Sequence, residues 1–341
     1  MKELKFNIQL FAGNLNVQTT LLNDTVGKND LSPTMKTFYK TSLLENARLE
    51  HFYNQFGQKQ PLPKNNGKNV EWRKFDTYKP AVNPLTEGVT PDGNKVNIVK
   101  IEKAIDQYGD YTTISDRLQM EAVDPIVMSV TEEHGAQAGD TLEILTRNEL
   151  MACGNKFTPG DKAVSQVGAT DTITSTLVNQ AATFLKKQHT PTINGDYICI
   201  VNPSVAMDLR ESSGWLEAHK YAQPEEIYNG EIGKLHGVRF IETTFAPVVK
   251  ASESAPAIYH SFMFGKDAYG IIEPSAESLE IIVKQLGSAG TADPLSQRSS
   301  VGWKASHAAT LLYKERICDL ITGSSFSTVD EDNYSDTLVT E

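Results

Sequence analysis

Val70-Glu71-Trp72-Arg73-Lys74-Phe75 and Val96-Asn97-Ile98-Val99-Lys100-Ile101 are two short runs rich in β-branched and aromatic residues, and the segment between them decides how the chain is read. That segment, Lys79 to Asn94, holds Pro80, Pro84 and Pro91 together with Gly88 and Gly93. Proline has no N–H to give to a ladder, so the segment is a turn-rich tip and the two runs are the arms of a long hairpin. Two strands alone are marginal in water. An arm carrying Trp72, Phe75, Tyr78, Leu85 and Val89 needs a covering surface, either the body of its own chain or another subunit. The many interruptions make compact self-packing awkward. These five residues are therefore the candidate intersubunit contacts.

After Tyr108-Gly109-Asp110-Tyr111 the pattern turns helical, and Asp124-Pro125 offers a capping carboxylate followed by a proline suited to a first turn. Val123, Val127, Val130, His134, Ala138, Leu142 and Leu145 recur as one apolar stripe. The stripe predicts a strut-like helix ending near Gly154, roughly 29 residues or about 44 Å long at 1.5 Å per residue. Gly135 and Gly139 interrupt it, each at about 1 kcal/mol relative to Ala, which close packing or a bend would explain.

Upstream, residues 14 to 34 read as a polar arm, followed by a helix that starts at Ser32-Pro33, carries Met35, Phe38, Tyr39, Leu43, Ala47, Leu49 and Phe52, and stops at Gly57 and Pro61. Beyond the strut, residues 154 to 171 are rich in Gly, Ser and Thr and mark a lobe boundary. A helix with Ile173, Leu177, Ala181, Phe184 and Leu185 on one face comes next and ends at Thr190-Pro191. A buried strand, Tyr197 to Val201, and a short helix capped by Asn202-Pro203 complete a helix–strand–helix lobe. Strands follow at Val238 to Thr243, Ala257 to Phe264, Tyr269 to Glu273, Leu279 to Leu286 and Val301 to Leu312. Helices first and strands late predict an α+β fold rather than a doubly wound parallel sheet. Ser327 to Glu341, with Asp330, Glu331, Asp332 and Asp336, reads as a frayed acidic tail.

The 341 residues exceed the size at which one core stops growing, which predicts two lobes plus extensions. Hydrophobic residues make up 39% and charged residues 22%, enough to support a core, and no long apolar run predicts a membrane span. The net charge of -11 opposes sequence-independent binding to a polyphosphate, which depends on clustered cations. Cys153, Cys199 and Cys318 are few and far apart, as expected of buried free thiols in a reducing compartment. Met1 to Gly13 has the outline of a signal peptide, but Glu3, Lys5, Asn7 and Gln9 break any apolar core, so it reads as an ordered or partner-bound arm.

Catalytic signatures are sought without success. Gly230-Glu231-Ile232-Gly233-Lys234-Leu235-His236-Gly237 lacks phosphate-loop spacing and reads as a surface turn. Glu132-Glu133-His134 has no second histidine four residues on, so His134 is expected to be a packed, hydrogen-bonded core residue. No GxSxG elbow accompanies a serine. The expectation is a non-enzymatic chain with no catalytic residue, cofactor or metal.

In order, the parts are an N-terminal arm, a helix, an extended loop, a long spine helix, a mixed lobe and a late long strand. That order resembles the tailed-phage major capsid proteins with the Hong Kong 97-like fold. The opening MKELKFNIQLFAG is similar to the start of many phage structural proteins. Leu85-Thr86-Glu87-Gly88, through Tyr108-Gly109 to Ile114-Ser115-Asp116, resembles the capsid family related to that of phage N4. The resemblance implies an N-terminal arm and helix over 1–58, an extended loop hairpin over 59–114, a spine helix with peripheral lobe over 115–159 and an axial lobe over 160–275. A peripheral strand over 276–300, a closing segment over 301–326 and the acidic tail over 327–341 complete the scheme. It further implies hexamers and pentamers closing into an icosahedral shell around double-stranded DNA, with scaffolding, portal and decoration proteins as further partners. Such a chain resides in the virion capsid and passes through the host cytoplasm during assembly. An encapsulin-like compartment shell, or less consistently a soluble hydrolase, is the competing reading.

Overall fold

The computed structural model describes residues 51–63, 67–75, 78, 80–82, 84–85, 87–90, 93, 95–122, 126–215, 231–250, 252, 255–274, 279–288 and 293–332. The expected N-terminal arm, most of the helix expected before Gly57, and the Asp124-Pro125 cap lie outside these residues. In chain order the elements are α1 (Tyr53–Phe56), β1 (Gln58–Leu62), β2 (Asn69–Phe75), β3 (Ile98–Ala104), β4 (Asp106–Ser115), α2 (Asp116–Glu121) and α3 (Ile126–Leu150). There follow β5 (Lys156–Phe157), α4 (Ser175–Lys187), β6 (Tyr197–Val201), α5 (Pro203–Glu211), β7 (Glu231–Leu235), β8 (Val238–Glu242) and β9 (Val248–Val249). β10 (Ile258–Phe264), β11 (Tyr269–Pro274), β12 (Glu280–Lys284), β13 (Arg298–Leu311) and β14 (Ile317–Thr322) close the series.

Mixed helix and sheet, with the strands concentrated late, is the α+β arrangement expected. β13 is the axis of a five-stranded sheet. Its start pairs antiparallel with β12, its end with β11, and β4 runs antiparallel along it from His307↔Asp106 to Arg298↔Ser115. β1 lies parallel to β11 on the far side. A seven-stranded sheet has the order β5-β14-β10-β6-β8-β7, with β9 added to β10. All five residues of β6 are buried, as the sequence Tyr-Ile-Cys-Ile-Val requires of a strand covered on both faces. α4 and α5 cover one face through Leu177, Ala181, Leu185, Val205 and Leu209. Tyr53 of α1 with Ile144 and Leu150 of α3 cover the other, against Ile198, Ile200, Phe262 and Phe264. Side chains cap both helices: the Thr174 hydroxyl accepts from Leu177 N at 3.3 Å, and the Asn202 side chain, the cap expected from the sequence, accepts from Ser204 N at 3.0 Å. β11, which falls within 160–275, pairs with β1 and β13 of the five-stranded sheet.

The strut is real but differs from its prediction. α3 spans 25 residues, about 37 Å, and ends at Leu150 rather than near Gly154. Its buried face is His134, Ala138, Glu143, Ile144, Thr146, Arg147 and Leu150. Val127, Val130, Leu142 and Leu145 of the expected stripe are only half-buried. Polar side chains with dedicated partners occupy the inner face, so the helix turns away from the side its hydropathy favours. Gly139 is required by close approach, because an added Cβ would lie 2.7 Å from His51 Cε1. At Gly135 an added Cβ would make only ordinary contact with Ile281 at 4.0 Å.

Three further expectations are corrected. The helical pattern expected after Tyr111 is delayed, because Thr112 to Ser115 still belong to β4, a strand so exposed that only Ile114 is buried and no alternation marks it. The stretch 230–237 is not a bare turn but contains β7, paired with β8 around the left-handed residues His236 and Gly237. The segment from Ser327 to Asp332 is pinned rather than frayed. Asp330 accepts from Ser204 Oγ at 2.9 Å and Tyr259 OH at 2.7 Å, while Asp332 pairs with Arg147 at 3.1 Å.

Candidate assembly surface

β2 and β3 form a two-stranded ribbon in the register Asn69↔Ala104 to Phe75↔Ile98. Its base is fastened to the body. Val70 is buried with Ile272 and Ala308, and Trp72 packs half-buried beside them. Gly270 makes room for that indole, since a Cβ there would lie 2.9 Å from Trp72 Cζ2. Lys103 meets Glu149 of α3 at 2.8 Å, and Lys74 sits 4.5 Å from the Tyr313 ring centroid and 3.5 Å from Glu315. Of the five candidate contacts, Trp72 therefore packs on its own chain. Phe75, Tyr78, Leu85 and Val89 lie 66%, 52%, 79% and 62% exposed. Val82, Val96 and Ile98 join them on the exposed ribbon and tip.

A second exposed apolar region is one that the sequence reading missed. Leu118 and Met120 on α2, and Met128 on the first turn of α3, are exposed. Ile281, Val283 and the flanking Leu279 and Leu286 are partly exposed along β12, whose outer edge carries no partner strand among the described residues. β12 was expected as a strand, and an unpaired edge with β-branched residues is the signal that it needs a neighbour. On the sheet face formed by β4, β13 and β12, a groove of about 380 Å³ is lined by Tyr111, Ile282, Lys284, Ser300 and Gly302. Tyr111 stands exposed at its rim. Single exposed apolar residues need no explanation, but clusters of this extent on projecting elements are what association surfaces look like.

The sequence matches the family of phage capsid proteins over residues 99–316. The chain belongs to the phage capsid protein family. As such it is a structural protein, a major capsid protein of the type that forms an icosahedral phage shell. Its fold is that of solved phage capsids. The capsid of the cyanophage P-SCSP1u is similar at a TM-score of 0.65, with 14% identity over 85% of this chain and 93% of that one. The capsid of Ralstonia phage GP4 gives 0.65, with 12% identity over 89% and 98%, and that of cyanophage Pam1 gives 0.62, with 13% identity over 86% and 98%. No curated protein is significantly similar in sequence.

Within the capsid protein the long helix also holds two segments distant in sequence, residues 51–54 and Asp332. Glu143, fully buried, accepts from the backbone N–H groups of Phe52 and Tyr53 at 2.5 Å each and of Asn54 at 3.0 Å. Burial raises its pKa above the ordinary carboxylate value, although the three N–H donors pull it down. One turn earlier Asp140 meets His51 at 2.8 Å, and one turn later the Thr146 hydroxyl donates to Asn54 Oδ1 at 2.6 Å. Arg147, on the same stretch, donates to the Phe245 carbonyl at 3.0 Å and pairs with Asp332. His51 packs on the Phe245 ring at 5.7 Å, so both segments meet at one residue.

His134 is the packed core histidine expected, bonded to Thr112 Oγ1 at 3.0 Å and Gln137 Oε1 at 3.1 Å. The three cysteines are buried and free, with Cys153 pushed up by burial to about 11. Among the described residues no helix is long and apolar enough to cross a membrane, and no His, Cys, Asp and Glu side chains gather as a metal site.

Proposed function

We propose that the capsid protein assembles through hexamers and pentamers, and that its hairpin is the arm by which each subunit grips a neighbour. The observation that carries this is the contrast along one ribbon. Its base is fixed by Val70, Trp72, Lys74 and Lys103, while Phe75, Tyr78, Leu85 and Val89 beyond it are left bare. A fixed base with an apolar free end suits a lever held by its own subunit and buried by the next. The peripheral and axial lobes, the peripheral strand over 276–300 and the closing segment over 301–326 follow the segment scheme set out above. Scaffolding, portal and decoration proteins are the outside partners, double-stranded DNA is the enclosed cargo, and assembly takes place in the host cytoplasm. The chain has no catalytic role. A compartment shell enclosing a protein cargo would share this fold; the family match to phage capsid proteins favours the virion.

Replacing Tyr78 to Asn94 with a short Gly/Ser turn tests the arm. The circular dichroism spectrum and thermal transition should stay close to wild type, because these residues add little to the core. Sedimentation should show small oligomers in place of shells. Normal shells from the truncated chain would rule out the arm, and outright unfolding would place the tip in the subunit's own core.

A further inference from the structure

Most cations elsewhere on the described surface are neutralised locally. Lys100 meets Glu71 at 2.9 Å on the hairpin, Lys304 meets Glu280 at 3.2 Å on the five-stranded sheet, and Arg210 meets Glu242 at 2.8 Å beside α5. At one end of the seven-stranded sheet this pattern breaks. Lys156, Lys186, Lys187, Lys266, Lys314 and Arg316 form no ion pair among the described residues. The backbone brings them together: Gly265 N donates to the Arg316 carbonyl at 3.1 Å, and Lys266 N donates to Pro191 O at 2.9 Å, just past the end of α4. The Asn155 amide reaches the Lys314 carbonyl at 2.5 Å, and Lys156 lies in register with Asp319.

The arrangement is partly built. The Arg316 guanidinium lies 3.7 Å from the Tyr313 ring centroid and donates one N–H to the Lys266 carbonyl at 3.3 Å, so its plane is held. Two carboxylates share these turns, Asp267 and Glu315, and Glu315 is taken by Lys74. The dipole of α4 accounts for Lys186 and Lys187 in its last turn, but not for the four cations on the neighbouring strands and turns. Crowded like charges weaken the isolated subunit, so the cluster makes sense only against an anionic partner.

We infer that this cationic end is an intersubunit contact that docks on the carboxylate-bearing surface of a second copy of the chain. The inference rests on the shell reading above and adds where one of its polar contacts lies. Each copy carries 43 Asp and Glu against 32 Lys and Arg, so carboxylates in excess are what a neighbour presents. The same net charge of -11 repels a phosphodiester backbone as a whole. A contact made of exposed lysines is weak and screened by salt, which suits a shell whose closure adds many such contacts together.

The test compares wild type with Lys156→Gln/Lys266→Gln/Lys314→Gln, three exposed lysines whose loss leaves the core intact. A control, Lys162→Gln/Arg210→Gln, removes two exposed cations that are paired within the subunit. Assembly is followed by light scattering and electron microscopy across a salt series. The triple variant should need about tenfold more protein to assemble and should lose most of the salt dependence that wild type shows, while the control behaves as wild type. Equal assembly with an unchanged salt dependence overturns the inference. So does normal assembly with a loss of retained DNA, which would make nucleic acid the partner. A wild-type chain that never forms particles overturns the shell reading itself, and this contact with it.

Discussion

Glu143→Ala should be among the most damaging single substitutions in the chain. The wild-type carboxylate carries three backbone N–H groups from Phe52, Tyr53 and Asn54. Phe52 and Tyr53 are buried, so water cannot replace the lost acceptor. An unsatisfied buried donor costs about 1–3 kcal/mol, which puts the two buried ones together at about 2–6 kcal/mol, much of the roughly 5–15 kcal/mol by which a domain is stable. Glu143→Gln isolates one part of this. Its carbonyl keeps the Phe52 and Tyr53 bonds made by Oε1, while its NH₂ faces the Asn54 N–H, donor against donor, for about 1–3 kcal/mol.

Denaturant melts give the free energies, and hydrogen exchange at residues 52 to 54 gives the location. Because burial raises the Glu143 pKa in the folded chain, the folded state holds this proton more tightly than the unfolded one. Its contribution is then full below the unfolded value and is lost as pH rises through the folded one, so the gap between wild type and Glu143→Gln should narrow with rising pH. An alanine variant within about 0.5 kcal/mol of wild type, or unchanged exchange at these three amides, would refute the reasoning.

Asp332→Ala should cost about 3–5 kcal/mol by stranding the fully buried Arg147, and a thermal melt of the variant will show it. Leu150→Ala should cost about 2–5 kcal/mol, whereas Leu142→Ala should cost clearly less because Leu142 is half-buried; equal losses would restore the helix face read from hydropathy. Burial holds the thiols of Cys153, Cys199 and Cys318 protonated, so iodoacetamide at pH 8 should label them only after denaturation, as mass spectrometry can establish.

The hairpin arms, the helix–strand–helix unit and the late strands were legible because each writes its burial into a short periodic pattern: β6 is uniformly apolar, and α4 repeats every third or fourth residue. β4 was not, because it is exposed along almost its whole length and owes its conformation to β13. The inner face of α3 was misread for a different reason. Glu143, Thr146 and Arg147 look like a solvent face in any hydropathy scheme, and it is the backbone of residues 52–54, the Asn54 side chain, the Phe245 carbonyl and the carboxylate of Asp332 that make them interior. Phe75, Tyr78, Leu85 and Val89 were found from an interrupted ribbon. Met120, Leu118 and the β12 edge were passed over because exposure on short elements leaves no period to detect.

The chain thus divides its two kinds of interaction by place. Apolar side chains are left exposed on elements that project or end a sheet, where burial by a neighbour is worth roughly 25 cal/mol per Å² and demands little geometric precision. Buried charge is kept where residues 52–54 and Asp332 pack on α3, on two turns of one helix, where it adds less net stability but tolerates only one arrangement. A shell subunit needs both. The contacts between copies must be individually weak enough to be corrected during closure, while the body that presents them must be held in one arrangement, or the same chain could not meet its neighbours in a repeatable geometry. Loosening the hold of Glu143 on residues 52–54 should therefore harm the regularity of assembled particles even at temperatures where the subunit stays folded, because α1 would no longer be fixed in one position on the long helix.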